Sequence, residues 1–107
     1  MNTALINLTD TMLKKSIIDA NKSVCEFAKH FSFNYKEAEC GERKPLKASY
    51  PDGTQAKVTF YRAKTSGDKR ISITKLKKFA KAGDKVTLIN TDDDERIKIL
   101  INVTVGK

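Results

Sequence analysis

The 107-residue chain has only two cysteines, one histidine and two prolines, and aromatic residues make up just 7% of it. Each shortage excludes a class of protein. Two cysteines, Cys25 and Cys40, cannot build the disulfide framework of a small secreted domain, so both are expected to be reduced thiols. One histidine with two cysteines falls short of a zinc site without carboxylate help, and their spacing matches no zinc finger. No apolar run approaches the roughly 20 residues that span a bilayer. The opening Met1-Asn2-Thr3-Ala4 also lacks the basic segment and apolar core of a secretory signal. The expectation is a soluble, cytoplasmic (intracellular) protein that does not engage membranes.

Catalytic apparatus is equally scarce. No phosphate-cradling glycine loop and no nucleophile elbow is present, and no local motif pairs His30 with a serine or with Cys25. The acidic run Asp92-Asp93-Asp94-Glu95 lacks the spacing and central glycine of a calcium loop, and reads as a solvated hairpin turn. Pro51-Asp52 resembles the start of a nuclease motif, but the Asp/Glu-x-Lys step that should follow is missing. Glu95-Arg96-Ile97-Lys98 and Gly83-Asp84-Lys85 both have the wrong spacing. The chain is therefore expected to be no enzyme and to need no metal and no cofactor.

What the chain has in excess is positive charge. Lys and Arg number 21 against 13 Asp and Glu, for a formal charge of +8. The isoelectric point is near 9.6 and the mean hydropathy −0.48. Self-repulsion of that size usually serves an acidic partner such as nucleic acid or an acidic protein, although a lysine-rich surface also favours solubility. The length suits one domain over residues 1–107 with one modest core.

Periodicity outlines the elements. From Thr9 or Asp10, apolar residues recur at Leu13, Ile17, Ala20, Val24, Phe27, Ala28 and Phe31, near the 3.6-residue period, so residues 9–31 are expected to be mainly helical. A competing reading breaks that helix at Ala20-Asn21-Lys22. It places a short strand around residues 15–19 and a second helix capped by Asn21 or Ser23. Residues 36–47, with Gly41 and Pro45, are expected to form a loop or an irregular edge strand. Residues 46–105 should be mainly strands. Tyr50-Pro51-Asp52-Gly53 is a turn; Ala56, Val58 and Phe60 alternate with Lys57, Thr59 and Tyr61, and Ile71 and Ile73 continue the pattern, so 55–63 and 69–73 form a hairpin. Thr74 then caps a short helix over 75–82 that closes at Gly83. Val86 and Leu88 mark a further strand, and Ile97, Ile99, Ile101, Val103 and Val105 a long C-terminal one. The expected fold class is α+β, with an antiparallel, partly closed, pseudobarrel-like sheet, an N-terminal helix and a short second helix.

The densest cationic stretch covers the hairpin and the helix after it: Lys57, Tyr61, Arg62, Lys64, Lys69, Arg70, Lys75, Lys77, Lys78 and Lys81. On the strand, Lys57 and Tyr61 lie opposite Val58 and Phe60; on the helix, the lysines lie away from Leu76 and Phe79. Lysines there would neutralise phosphates, and the forks of Arg62 and Arg70 could hold a phosphate or a guanine edge and make the most intimate contacts. Tyr35, Tyr50 and Tyr61 form no aromatic platform for unpaired bases, which points to duplex DNA.

The order of strands, the Asp52-Gly53 turn, Phe60-Tyr61-Arg62, Lys69-Arg70-Ile71-Ser72-Ile73, Lys75-Leu76-Lys77-Lys78-Phe79 and Ala82-Gly83-Asp84-Lys85-Val86 together resemble the DNA-binding pseudobarrel superfamily. That superfamily includes the recognition domain of EcoRII-type restriction enzymes and the plant auxin-response DNA-binding domain. The Gly83-Asp84-Lys85-Val86 step also occurs in AbrB-like swapped-hairpin transcription factors. The resemblance implies a non-catalytic domain that binds duplex DNA, and it requires a strand followed by a short helix near the N-terminus, which residues 15–31 supply only if broken at Asn21. The alternative expectation is a small interaction or inhibitor protein, encoded by a phage or mobile element, that binds an acidic host or partner protein through the same face. An unpaired C-terminal strand would also offer an edge for a homodimer.

Overall fold

A computed structural model describes residues 2–90 and 97–102. Its first element is a strand that the sequence pattern conceals, β1 (Asn2–Asn7). Ala4, Ile6 and Leu8 are buried while Thr3, Leu5 and Asn7 face outward. The outward Leu5, 42% exposed, blurs the alternation that would otherwise mark a strand.

The long N-terminal helix gives way to the broken reading. Helix α1 (Asp10–Lys15) is capped by Thr9, whose Oγ1 accepts the Met12 amide at 3.2 Å, and it ends at Ser16 in the left-handed region, φ 54°. Strand β2 (Ile18–Asp19) then buries Ile18 in the core, and Asn21 starts α2 (Lys22–Lys29) by accepting the Val24 amide at 3.0 Å. An Asn in extended conformation that satisfies an orphan helix amide is a strong start signal, and here it outweighs the helical period running through it.

After α2 the chain runs inward. Phe33, Tyr35 and Ala38 are buried, and with Phe27 and Phe31 the two rings surround Phe60 at centroid distances of 6.0–6.4 Å. The Tyr35 hydroxyl donates to the Arg70 carbonyl at 2.6 Å, and the Tyr50 hydroxyl to the Thr74 carbonyl at 2.7 Å. Both phenols are held in the neutral form by burial, Tyr50 pushed up to about 12.

Of residues 36–47, expected as a loop or an irregular edge strand, 36–42 are irregular and 43–47 belong to β3 (Arg43–Ser49), which among the described residues is flanked on both sides only at Ala48 and Ser49. It pairs along its whole length with β4 (Gln55–Arg62) and, parallel, with β7 (Ile97–Asn102) at Ala48 and Ser49. Pro45 is tolerated because the described β7 pairing reaches only the last two residues of β3, so the missing N–H breaks no rung on that side. The hairpin of β4 with β5 (Lys69–Ile73) forms as expected, Val58 opposite Ile73 and Phe60 opposite Ile71.

The second helix is shorter than 75–82. Helix α3 (Leu76–Phe79) is a single turn preceded by Lys75 in the left-handed region, φ 63°, and no side chain caps it. Thr74 cannot do so, because its Oγ1 accepts the Lys57 amide at 2.9 Å and extends the hairpin instead. Strand β6 (Lys85–Asn90) pairs with both β1 and β7. The Asp92 to Glu95 turn and the Val103 and Val105 positions lie outside the described residues.

The sheet order is β1-β6-β7-β3-β4-β5-β2, antiparallel except for the β3–β7 junction, and it curls into a half-barrel. Side chains bring its two ends together. The Leu5 carbonyl on β1 accepts from Asn21 Nδ2 at 2.8 Å and Ser23 Oγ at 3.0 Å, and the Leu5 amide donates to Ser23 Oγ at 3.0 Å. The residues just past β2 thus cover the outer edge of β1, so that partial closure is made by two side chains in place of a ladder.

Candidate nucleic-acid interface

Residues directly opposite one another in an antiparallel pair share a face. On β3, β4 and β5 the inward rows are Leu46-Val58-Ile73 and Phe60-Ile71, the latter ending at the exposed Lys44 opposite Phe60. The outward rows are therefore Lys47-Lys57, then Pro45-Thr59-Ser72, then Arg43-Tyr61-Arg70. Rows on one face recur every second residue, about 7 Å apart. Four cations, Arg43, Lys47, Lys57 and Arg70, are thereby arranged around a neutral centre at Thr59. The Arg43 guanidinium carbon lies 5.1 Å from the Tyr61 ring centroid, so the ring holds that cation over the sheet. Arg70 is partly screened: its Nη2 meets Asp68 Oδ2 at 3.2 Å and its side chain is 23% exposed.

The residues singled out in the sequence fall into two groups at opposite ends of this face. Tyr61, Arg62, Lys64, Lys69 and Arg70 sit around the β4–β5 turn, whereas Lys57, Lys75, Lys77 and Lys78 gather where β4 begins and β5 runs into α3. Five residues of strand separate Lys57 from Arg62, about 17 Å. Lys81 lies farther along, before β6, and its main-chain N–H donates to the buried Asp84 carboxylate at 3.0 Å. Lys75 turns back, Nζ to the Gln55 carbonyl at 3.0 Å. Lys77 and Lys78 are exposed, while Leu76 is buried and Phe79 stacks on Tyr50 with centroids 3.9 Å apart.

Arg62 departs from its expected role. Its Nε donates to the Gly67 carbonyl at 2.8 Å, and its Nη1 to the Tyr35 and Ala38 carbonyls at 3.1 and 3.0 Å. Three N–H groups are spent on main chain, fastening the β4–β5 turn to the loop after α2. Gly67 permits this: its φ is +70°, and a Cβ there would meet Arg62 Nη2 at 3.3 Å and Cys40 Sγ at 3.1 Å. The arginine displayed on the open face is instead Arg43, which with Lys47 escaped the sequence reading. Their signal was the alternation of Pro45 and Lys47 with Leu46 and Ala48, masked by the charges around it.

Among the described residues the ion pairs are Lys14–Asp10, Lys29–Glu26 and Arg70–Asp68. Lys47, Lys57, Lys64, Lys69, Lys77 and Lys78 thus keep their charge uncompensated by any carboxylate within 4 Å in that set. No three of His, Cys, Asp and Glu gather there to hold a metal, and no helix is long and apolar enough to cross a membrane. His30 is exposed at the end of α2, and Cys25 is half-buried, its thiol pushed up chiefly by burial.

No family model, no curated protein and no solved structure matches the chain. The functional reading therefore rests on these residues and their arrangement.

Proposed function

We propose that this chain is a non-catalytic nucleic-acid-binding domain that lays the outer face of β3, β4 and β5 against duplex DNA. The observation that carries the reading is the ring of Arg43, Lys47, Lys57 and Arg70 on one sheet face, extended at both ends by lysines with no carboxylate within 4 Å among the described residues. Cations held on strands lose less freedom on binding than cations on loops, so each neutralised phosphate returns more of its counterion-release energy. The ends of β4 beside which the two lysine groups lie stand about 17 Å apart. That exceeds the roughly 12 Å width of the major groove, so the groups can meet phosphates on both of its walls while the sheet face and Tyr61 lie between them. The resemblance to the DNA-binding pseudobarrel superfamily supports the same reading, since β2 followed by α2 supplies the strand and short helix that it requires.

The test is fluorescence anisotropy of labelled duplex DNA, single-stranded DNA and RNA over a salt series. Six phosphate contacts would give a log–log salt slope of about −5 on duplex. Lys77→Glu with Lys78→Glu should weaken binding and flatten the slope by about 2. Unchanged affinity and slope in that variant would remove α3 from the interface. An absence of binding even at low salt would abandon DNA in favour of an acidic protein partner, to be shown as a stoichiometric complex.

A further inference from the structure

Beside the start of β5 lies a cleft of about 300 Å³ lined by four lysines. Lys22 is the first residue of α2, Lys29 its last, Lys36 belongs to the loop that follows, and Lys69 opens β5. Against these stands one carboxylate, Glu26, whose Oε1 is 3.9 Å from Lys29 Nζ in a solvent-exposed pair. The half-buried Cys25 thiol also lines the cleft.

Several joined parts of the fold place these lysines along the cleft. Asn21 starts α2, the β5 ladder with β4 holds Lys69, and the loop carrying Lys36 is fastened by Arg62 through the Tyr35 and Ala38 carbonyls. Four lysines thus line one concavity with a single exposed carboxylate, an excess of positive charge that a multiply charged anion would meet. Ammonium groups act as point charges suited to phosphate oxygens, and a cleft of this size admits a chain of two or three phosphates where a single carboxylate would leave most of the charge unmet.

We propose that this cleft is a binding site for phosphate groups carrying several negative charges. Such groups have two sources: a small polyphosphate such as the tail of a nucleoside triphosphate, or consecutive phosphates of a nucleic-acid backbone. The site is distinct from the sheet face proposed above and shares only Lys69 with it, so either can fail alone.

Cys25 reports on occupancy. In a Cys40→Ser background, the rate of Cys25 alkylation by iodoacetamide is followed against added tripolyphosphate, with sodium chloride at matched ionic strength as control. Saturable protection by tripolyphosphate that the chloride control does not reproduce is expected. Lys29→Gln with Lys36→Gln should raise its midpoint at least about tenfold, the effect of losing one charge-assisted hydrogen bond. Lys77→Gln with Lys78→Gln should leave the midpoint unchanged. The midpoint is the readout because removing nearby lysines alters thiol reactivity by itself. Duplex DNA in a parallel series distinguishes the sources: protection by tripolyphosphate without protection by DNA assigns the cleft to a small molecule, and protection by DNA alone assigns it to the backbone. The proposal is overturned if neither protects beyond the chloride control, or if the Lys29 and Lys36 variant binds as tightly as the parent. Matching far-ultraviolet circular dichroism and melting temperature show that the variants are folded.

Discussion

Replacing Arg62 separates a residue that holds the fold from one that holds a ligand. Its guanidinium makes three hydrogen bonds to the carbonyls of Gly67, Tyr35 and Ala38. A hydrogen bond to a charged group contributes about 1.5–3 kcal/mol net, and the lower end applies at a half-buried site where water can reach the abandoned carbonyls. The three share one side chain and are not additive, so Arg62→Met is expected to cost about 2–4 kcal/mol. That is a large share of the roughly 5–15 kcal/mol that stabilises a domain of this size. At about 4–8 °C per kcal/mol the melting temperature should fall by roughly 8–32 °C, read by circular dichroism at 222 nm, with urea unfolding as a second measure. Arg62→Lys can keep only one of the three bonds and should lie between. Well below the melting temperature, the DNA salt slope of Arg62→Met should equal that of the parent. A variant that melts within about 2 °C of the parent, yet loses affinity and one phosphate from the salt slope, would refute the reasoning and return Arg62 to the interface.

Asn21→Ala removes both the α2 cap and the hydrogen bond to the Leu5 carbonyl, and should cost about 1–2 kcal/mol. Amide exchange read residue by residue should quicken at Val24 and along β1; a loss confined to α2 would show that the sheet ends do not depend on Asn21. The raised pKa of Tyr50, about 12, makes stability depend on alkali. The folded protein retains the phenol proton after the unfolded chain has lost it near pH 10, so this contribution is whole below pH 10 and is lost as pH rises from there toward 12. Tyr50→Phe should flatten the fall in melting temperature over that interval, and an unchanged slope would show that Tyr50 is not responsible.

The elements legible in the sequence are those whose signal is local. The β4–β5 hairpin shows its two-residue period because Val58, Phe60, Ile71 and Ile73 are buried on one face and the polar partners lie on the other. The break at Asn21 was legible as an alternative, since a side chain that can cap a helix looks the same in sequence whether or not it is used. The parts that were not legible depend on distant partners. Strand β3 looks like a loop until β4 and β7 flank it, and Thr74 looks like a helix cap until Lys57 claims its hydroxyl. For the candidate interface, composition located the cations but not their geometry. Arg62 is set apart from Arg43 chiefly by carbonyls 24 and 27 residues away within its reach, a distinction that no local pattern carries.

The order of strands also has a consequence in time. Among the described residues strand β1 has its ladder only with β6, and that ladder cannot form until residues 85–90 have been synthesised. Until then Ala4, Ile6 and Leu8 have α2 to pack against but not β6, and the closure of so long a loop is what slows folding in sheets built from remote strands. Shortened versions that end before residue 85 should therefore aggregate, however complete their β3–β4–β5 hairpins are. Strand β1 is obliged to wait for β6.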